Sequence, residues 1–167
     1  EVNWQMTGEF NARNLAMSTL GSILIQSVRH GKEIDTSNPF ADRTLPDYSN
    51  CKGVRRRQEV LIEREEVVVI SDFAHHPTAI DTTLRGMAAK MAAGDSGGRL
   101  IAIIEPRSNT MKLGIHQADL AAATAAADLV LWKKPEKSGI DFHTLLAQSK
   151  CPAHAFDLVE EKVCFVE

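Results

Sequence analysis

Two polar clusters hold the residues of this chain best suited to grip a ligand. SDFAHHPTAI contains Asp72, His75 and His76, and EPRSNTMKLG contains Arg107, Ser108, Asn109 and Thr110. Each follows an apolar run of β type, VVVI before the first and LIAII before the second, and open parallel sheets bind ligands at the carboxyl ends of their strands. If the two runs are neighbouring strands, both clusters line one crevice. That crevice would surround an anionic or peptide-like ligand, with the helix after Pro77 offering its amide end.

Each of these residues also has a structural reading. An ionised Asp72 can accept two hydrogen bonds from a diol such as ribose, or it can cap the helix that follows. Adjacent histidines usually diverge and no third ligand is spaced nearby, so a metal site is disfavoured at His75 and His76. One imidazole is expected to bond a substrate while the other caps the helix or packs under the loop. The planar fork of Arg107 suits a bidentate grip on carboxylate or phosphate, and an ion pair with Glu105 or Glu59 is the structural alternative. Asn11 and Asn14, in GEFNARN at a helix start, can pair with a base or phosphate or can cap. Arg55, Arg56 and Arg57 could contact phosphates at an interdomain joint, or Arg55 could stand on a solvated edge. Neither a GxxxxGK[ST] phosphate loop nor a GxGxxG turn occurs in the sequence.

The elements that must position these groups are legible from periodicity. Residues 12–30 read as a mostly buried helix with rows Leu15, Thr19, Ile23 and Leu20, Leu24, Val28, ending at Gly31. Residues 32–51 carry turn signals without periodicity and read as an interdomain connection with an insertion. Alternation from Arg57, followed by VVVIS, predicts a hairpin. A helix over 77–91 opens on Pro77 and stops before Gly94. Strands over 99–104, 129–132 and 153–156 then alternate with helices over 115–126 and 142–148. That order predicts an α/β fold with a Rossmann-like, mostly parallel sheet and helices on both faces. The alanine-rich ADLAAATAAAD reads as a helix packed closely on that sheet.

Composition sets the outer bounds. A 44% hydrophobic content supports a real core, while a net charge of −3 and a pI near 6.1 argue against nonspecific nucleic-acid binding. Cys51, Cys151 and Cys164 lack CxxC spacing, which points to neither a disulfide framework nor a zinc knuckle and fits the cytoplasm. No stretch has the ~20 apolar residues of a membrane span. EVNWQMTGEF does not resemble a signal peptide, and its abrupt start reads as that of an excised piece.

Taken in order, GEFNARNLAMS, GVRRRQE, SDFAHHPTAI and EPRSNTMK resemble the motifs of the Mur ligase family of bacterial cell-wall synthesis. Gly8, Asn11 and Asn14 match its G-x-H-N-x-x-N pattern with Phe10 in place of histidine. Arg56, Arg57 and Glu59 match G-x-x-R-R-x-E, and Asp72, Ala74, His75, His76, Pro77 and Thr78 match the third motif. In the fourth, Ser108, Asn109 and Thr110 resemble the branch that takes L-alanyl-γ-D-glutamyl-meso-diaminopimelate. The branch that takes L-alanine has a PHRYTRT-type run and would share only Arg107.

The resemblance implies three domains, with residues 1–50 the end of the central ATPase domain and 51–167 an incomplete C-terminal Rossmann-like domain. It implies ATP and Mg2+, both bound mainly by the central domain, and UDP-N-acetylmuramate and murein tripeptide as substrates, in partnership with N-terminal and central domains that lie elsewhere. The reaction implied is amide formation through an acyl phosphate, used in recycling cell-wall peptide. Asn11 and Asn14 would contact nucleotide, Arg57 phosphate, and Asp72 the ribose or hinge, with Arg57 and Asp72 serving catalysis. His75, His76, Arg107, Ser108, Asn109 and Thr110 would face the peptide. The rivals are an L-alanine ligase, a folylpolyglutamate synthase relative, and a non-catalytic Rossmann-like module that binds its ligand unaided.

Overall fold

The computed structural model describes residues 8–33, 35–40, 47–50, 55–94 and 97–157. Cys51, Cys164, Lys52 of the basic run, Gly53 of the second motif and much of the 32–51 connection lie outside them. Packing divides the chain after Asp72 into two units, 1–72 and 73–167.

The first unit contains α1 (Glu9–Arg29) and an antiparallel hairpin of β1 (Glu59–Glu63) and β2 (Val68–Ser71). Helix α1 begins at Gly8, whose φ of +95° suits glycine, and Glu9 and Arg29 place charges of the favourable sign at its two ends. Only Asn11, Thr19, Ile23 and Ser27 are buried along it, a narrow stripe spaced by multiples of four residues. The expectation of a mostly buried helix is therefore corrected: Leu24 and Val28 of the second apolar row, and Met17 and Ile25, are exposed among the described residues.

The hairpin closes where Arg64 N–H donates to Val67 O at 2.9 Å, and its register shifts between Val60 and Ile62. This irregularity interrupts the period-two pattern, and apolar side chains on both strands stay exposed. Since β2 pairs with β1, the run VVVI is not a ladder neighbour of LIAII among the described residues. The turn at Glu65 and Glu66 lets β2 fold straight back on β1 without a crossover.

The second unit carries the parallel sheet β3 (Ile101–Ile104), β4 (Leu129–Lys133) and β5 (Ala153–Phe156), ordered β3-β4-β5. Helices α3 (Asn109–Lys112) and α4 (Gln117–Ala123) lie between β3 and β4 in the chain, and α5 (Phe142–Ala147) lies between β4 and β5. Central β4 is covered on both faces, because Val130, Leu131 and Trp132 all expose 1% or less while successive strand residues point to opposite sides. Leu120, Ala121, Ala123 and Ala127 join Val130, Trp132 and Leu145 in the core, so the alanines of α4 do pack closely.

Ahead of the sheet comes α2 (Pro77–Ala93). Its Ile80, Thr83, Leu84 and Met87 are buried at i, i+3, i+4 and i+7. His76 caps it, Pro77 opens it, and Gly94 closes it.

Candidate functional site

The cluster after β3 is built by local hydrogen bonding around one buried anchor. Ser108 is the N-cap of α3, its Oγ accepting from Met111 N–H at 3.3 Å, and Met111 is 1% exposed in the core. This arrangement leaves Asn109 and Thr110 on the surface of the first turn. Ser108 Oγ also donates to His75 O at 3.4 Å and lies 3.4 Å from Thr110 Oγ1. The two sequence clusters therefore meet through His75 and Ser108. Arg107 is exposed, and its Nε pairs with Glu105 Oε2 at 3.3 Å, the ion pair that was the structural alternative.

The adjacent histidines take different roles. His75 Nδ1 lies 3.0 Å from Phe73 O, and a carbonyl oxygen can only accept, so Nδ1 carries a proton and Nε2 is the ring nitrogen left for another partner. Its ring tilts against Phe73 at 5.1 Å. His76 Nδ1 instead accepts from Thr78 N–H at 3.3 Å, which requires the opposite tautomer in a neutral ring.

Pro77 has no N–H and Thr78 N–H is taken by His76 Nδ1, so the amide end of α2 is partly satisfied from within. Capping therefore belongs to His76 and not to Asp72, whose Oδ2 accepts from Gln58 N–H at 3.0 Å. Asp72 lies level with the start of β1, where Glu59 pairs with Ser71, and it fixes the entry to the hairpin.

Asn11, Asn14, Arg57 and Asp72 all belong to the first unit, and His75, His76, Arg107, Ser108, Asn109 and Thr110 to the second. Asn11 is buried, whereas Asn14 and Arg57 are exposed. Arg56 and Gln58, on either side of Arg57, have φ of +57° and +51°, and Arg56 N–H donates to Glu59 Oε2 at 2.9 Å. Left-handed backbone at two non-glycine residues costs about 1–2 kcal/mol each and sets the direction of the chain around Arg57.

Two residues near the site were not singled out from the sequence. His116 meets the His76 ring edge-on at 4.9 Å, and Gln117 bonds the backbone of Asp141. The only signal for them was a polar pair, HQ, between the fourth motif and the alanine-rich helix. Among the described residues no group of three or more His, Cys, Asp or Glu side chains could hold a metal ion.

No family model matches the chain. It is 36% identical over 155 residues to the UDP-N-acetylmuramate–L-alanyl-γ-D-glutamyl-meso-2,6-diaminoheptandioate ligase of Haemophilus influenzae, covering 92% of this chain and 31% of that protein. The Escherichia coli protein of the same name is 39% identical over 135 residues, covering 81% of this chain and 26% of that one. Among solved structures, a murein peptide ligase from Psychrobacter arcticus superposes with a TM-score of 0.60 at 36% identity, covering 99% of this chain and 32% of that one. The chain thus spans between about a quarter and a third of the length of these relatives.

Proposed function

We propose, from the premise that this chain belongs to the Mur ligase family, that it is the acceptor-presenting portion of a ligase joining UDP-N-acetylmuramate to murein tripeptide. The observation that carries this reading is the EPRSNTMK run at the end of β3, where Ser108 ties the acceptor motif to His75 at 3.4 Å. Relatives at 36% and 39% identity bear the tripeptide in their names, which supports the choice of acceptor. In this reading residues 1–50 end the central ATPase domain and 51–167 belong to the C-terminal domain of a cytoplasmic enzyme of peptide recycling.

Exposed Arg57 and Asn14 have the chemistry to meet phosphate and nucleotide, and the Asp72 carboxylate suits a ribose hydroxyl or a hinge contact. Buried Asn11 fits a packing role at the head of α1 better than direct contact with ATP. In this reading ATP and Mg2+ are held mainly by the rest of the central domain. ATP would supply the phosphoryl group that converts the muramyl carboxylate to an acyl phosphate. The peptide amine then attacks the acyl carbon, phosphate leaves, and the nitrogen sheds a proton. This chain's residues contribute positioning and charge: Arg107 holds an acceptor carboxylate, Asn109 and Thr110 bond the peptide, and His75 turns Nε2, the ring nitrogen not used on Phe73 O, to a polar group of the peptide.

Amide formation by the full-length enzyme, assayed with ATP, UDP-N-acetylmuramate and either tripeptide or L-alanine, tests the reading. Tripeptide should be strongly preferred, and this chain alone, which has no phosphate loop, should release no phosphate from ATP. Preference for L-alanine would make it an L-alanine ligase. Tight peptide binding by this chain alone, with no ligation by the whole enzyme, would favour the non-catalytic module.

A further inference from the structure

The loop that leaves the fourth motif is clasped by the connection between β4 and α5. Gly139 N–H donates to Lys112 O at 2.6 Å. Gly114 has φ of +73°, and a Cβ there would stand 2.8 Å from Gly139 O, while a Cβ on Gly139 would stand 3.0 Å from Leu113 O. The two backbones touch, and only glycine fits at Gly114. One helical step on, Gln117 completes the clasp with its carboxamide: Asp141 N–H donates to Oε1 at 2.8 Å, and Nε2 donates to Asp141 O at 3.2 Å. A single side chain thus satisfies both backbone groups of a residue 24 positions away, as a strand partner would.

Together with Met111 in the core, this clasp fixes the loop on both sides of Lys112 and holds Asn109 and Thr110 in place from behind. We propose that Gln117 is a positioning residue of the acceptor site, setting the loop that follows α3 and with it Asn109, Thr110 and Lys112 of that helix, and thereby the enzyme's discrimination among acceptors. The proposal rests on the acceptor reading of the fourth motif. Gln117 does not touch the ligand in this role. A shift of a few tenths of an ångström in the loop weakens contacts made by the residues ahead of it.

Steady-state constants of the full-length ligase test the proposal in Gln117→Met, which keeps the length and loses both hydrogen bonds, and in Gln117→Glu, which keeps the oxygen that accepts from Asp141. The Met variant should raise KM for tripeptide about tenfold with kcat and the KM values for ATP and UDP-N-acetylmuramate within about twofold, and the Glu variant should fall between. Gly139→Ala pushes the same loop from the other side and should give the same split, which keeps the test decisive if Gln117→Met fails to fold. An unchanged tripeptide KM, with or without a fall in apparent kcat that tracks the folded fraction, makes Gln117 a stability residue and overturns the proposal. A wild-type enzyme that makes no product from tripeptide overturns the functional reading, and this assignment with it.

Discussion

Arg107 presents 80% of its side chain to solvent while its Nε meets Glu105. An exposed ion pair of this kind is worth about 0–1 kcal/mol, so under the proposed function an acceptor carboxylate that drew the guanidinium away would give up little stability. The pair uses Nε, and an end-on bidentate grip through the two terminal nitrogens does not require it to break. Arg107→Lys keeps the charge and removes the fork, so KM for tripeptide should rise about tenfold while the constants for ATP and UDP-N-acetylmuramate stay within about twofold. Normal tripeptide use by the Lys variant would leave Arg107 with only its surface pair. The Glu105 partner could be read from the sequence two residues away, and so could one histidine capping α2 behind Pro77. What could not be read was which histidine, since that depends on Nδ1 of His76 reaching Thr78 N–H and Nδ1 of His75 turning to Phe73 O. The burial of Asn11 was equally invisible, because a polar residue at a helix start gives no sign of which face is covered.

Elements with a strong period were legible, and those fixed by tertiary contacts were not. The i, i+3, i+4, i+7 row of α2 and the apolar runs of β3, β4 and β5 were found to within a few residues of their observed ends. The short α3 was missed because NTMK has no period of its own; it exists through the Ser108 cap and the burial of Met111. Helix α5 is held in a similar way, by Asp141. Its carboxylate accepts from Thr144 Oγ1 at 2.6 Å, from His143 N–H at 3.0 Å and from Thr144 N–H at 3.3 Å. These bonds, the Thr144 hydroxyl foremost, hold its carboxyl below the usual aspartate value. A folded value below the unfolded one means the cap adds stability above the unfolded value and loses it as pH falls through the folded one. Amide exchange at His143 and Thr144 should therefore accelerate, relative to the rest of the unit, as pH drops below about 4. Asp141→Asn should remove that pH dependence. If the variant keeps it, the titrating group is not Asp141.

At the scale of the whole chain, order should be uneven between the two sheets. The parallel sheet follows from strands alternating with helices, and its middle strand has ladder partners on both sides and side chains buried on both faces. The hairpin has one ladder, a register shift, and exposed Val60, Leu61, Ile62, Val67 and Val68. Its alternation read as a hairpin, but periodicity reports only that one face is suited to burial, and what covers that face lies outside the pattern. The break after Asp72 was hidden for a related reason, since it falls inside the run SDFAHHPTAI and not in a glycine- or serine-rich linker. Two strands alone are marginal in water, whereas a strand such as β4 opens only with its unit. Hydrogen exchange on this chain should accordingly show amides of Val130, Leu131 and Trp132 exchanging at least about a hundredfold more slowly than those of Val60, Ile62, Val68 and Ile70, the ratio for an opening difference of about 3 kcal/mol. Equal protection in the two sheets would mean that the hairpin is as firmly held as β4, and that its apolar faces are covered in solution.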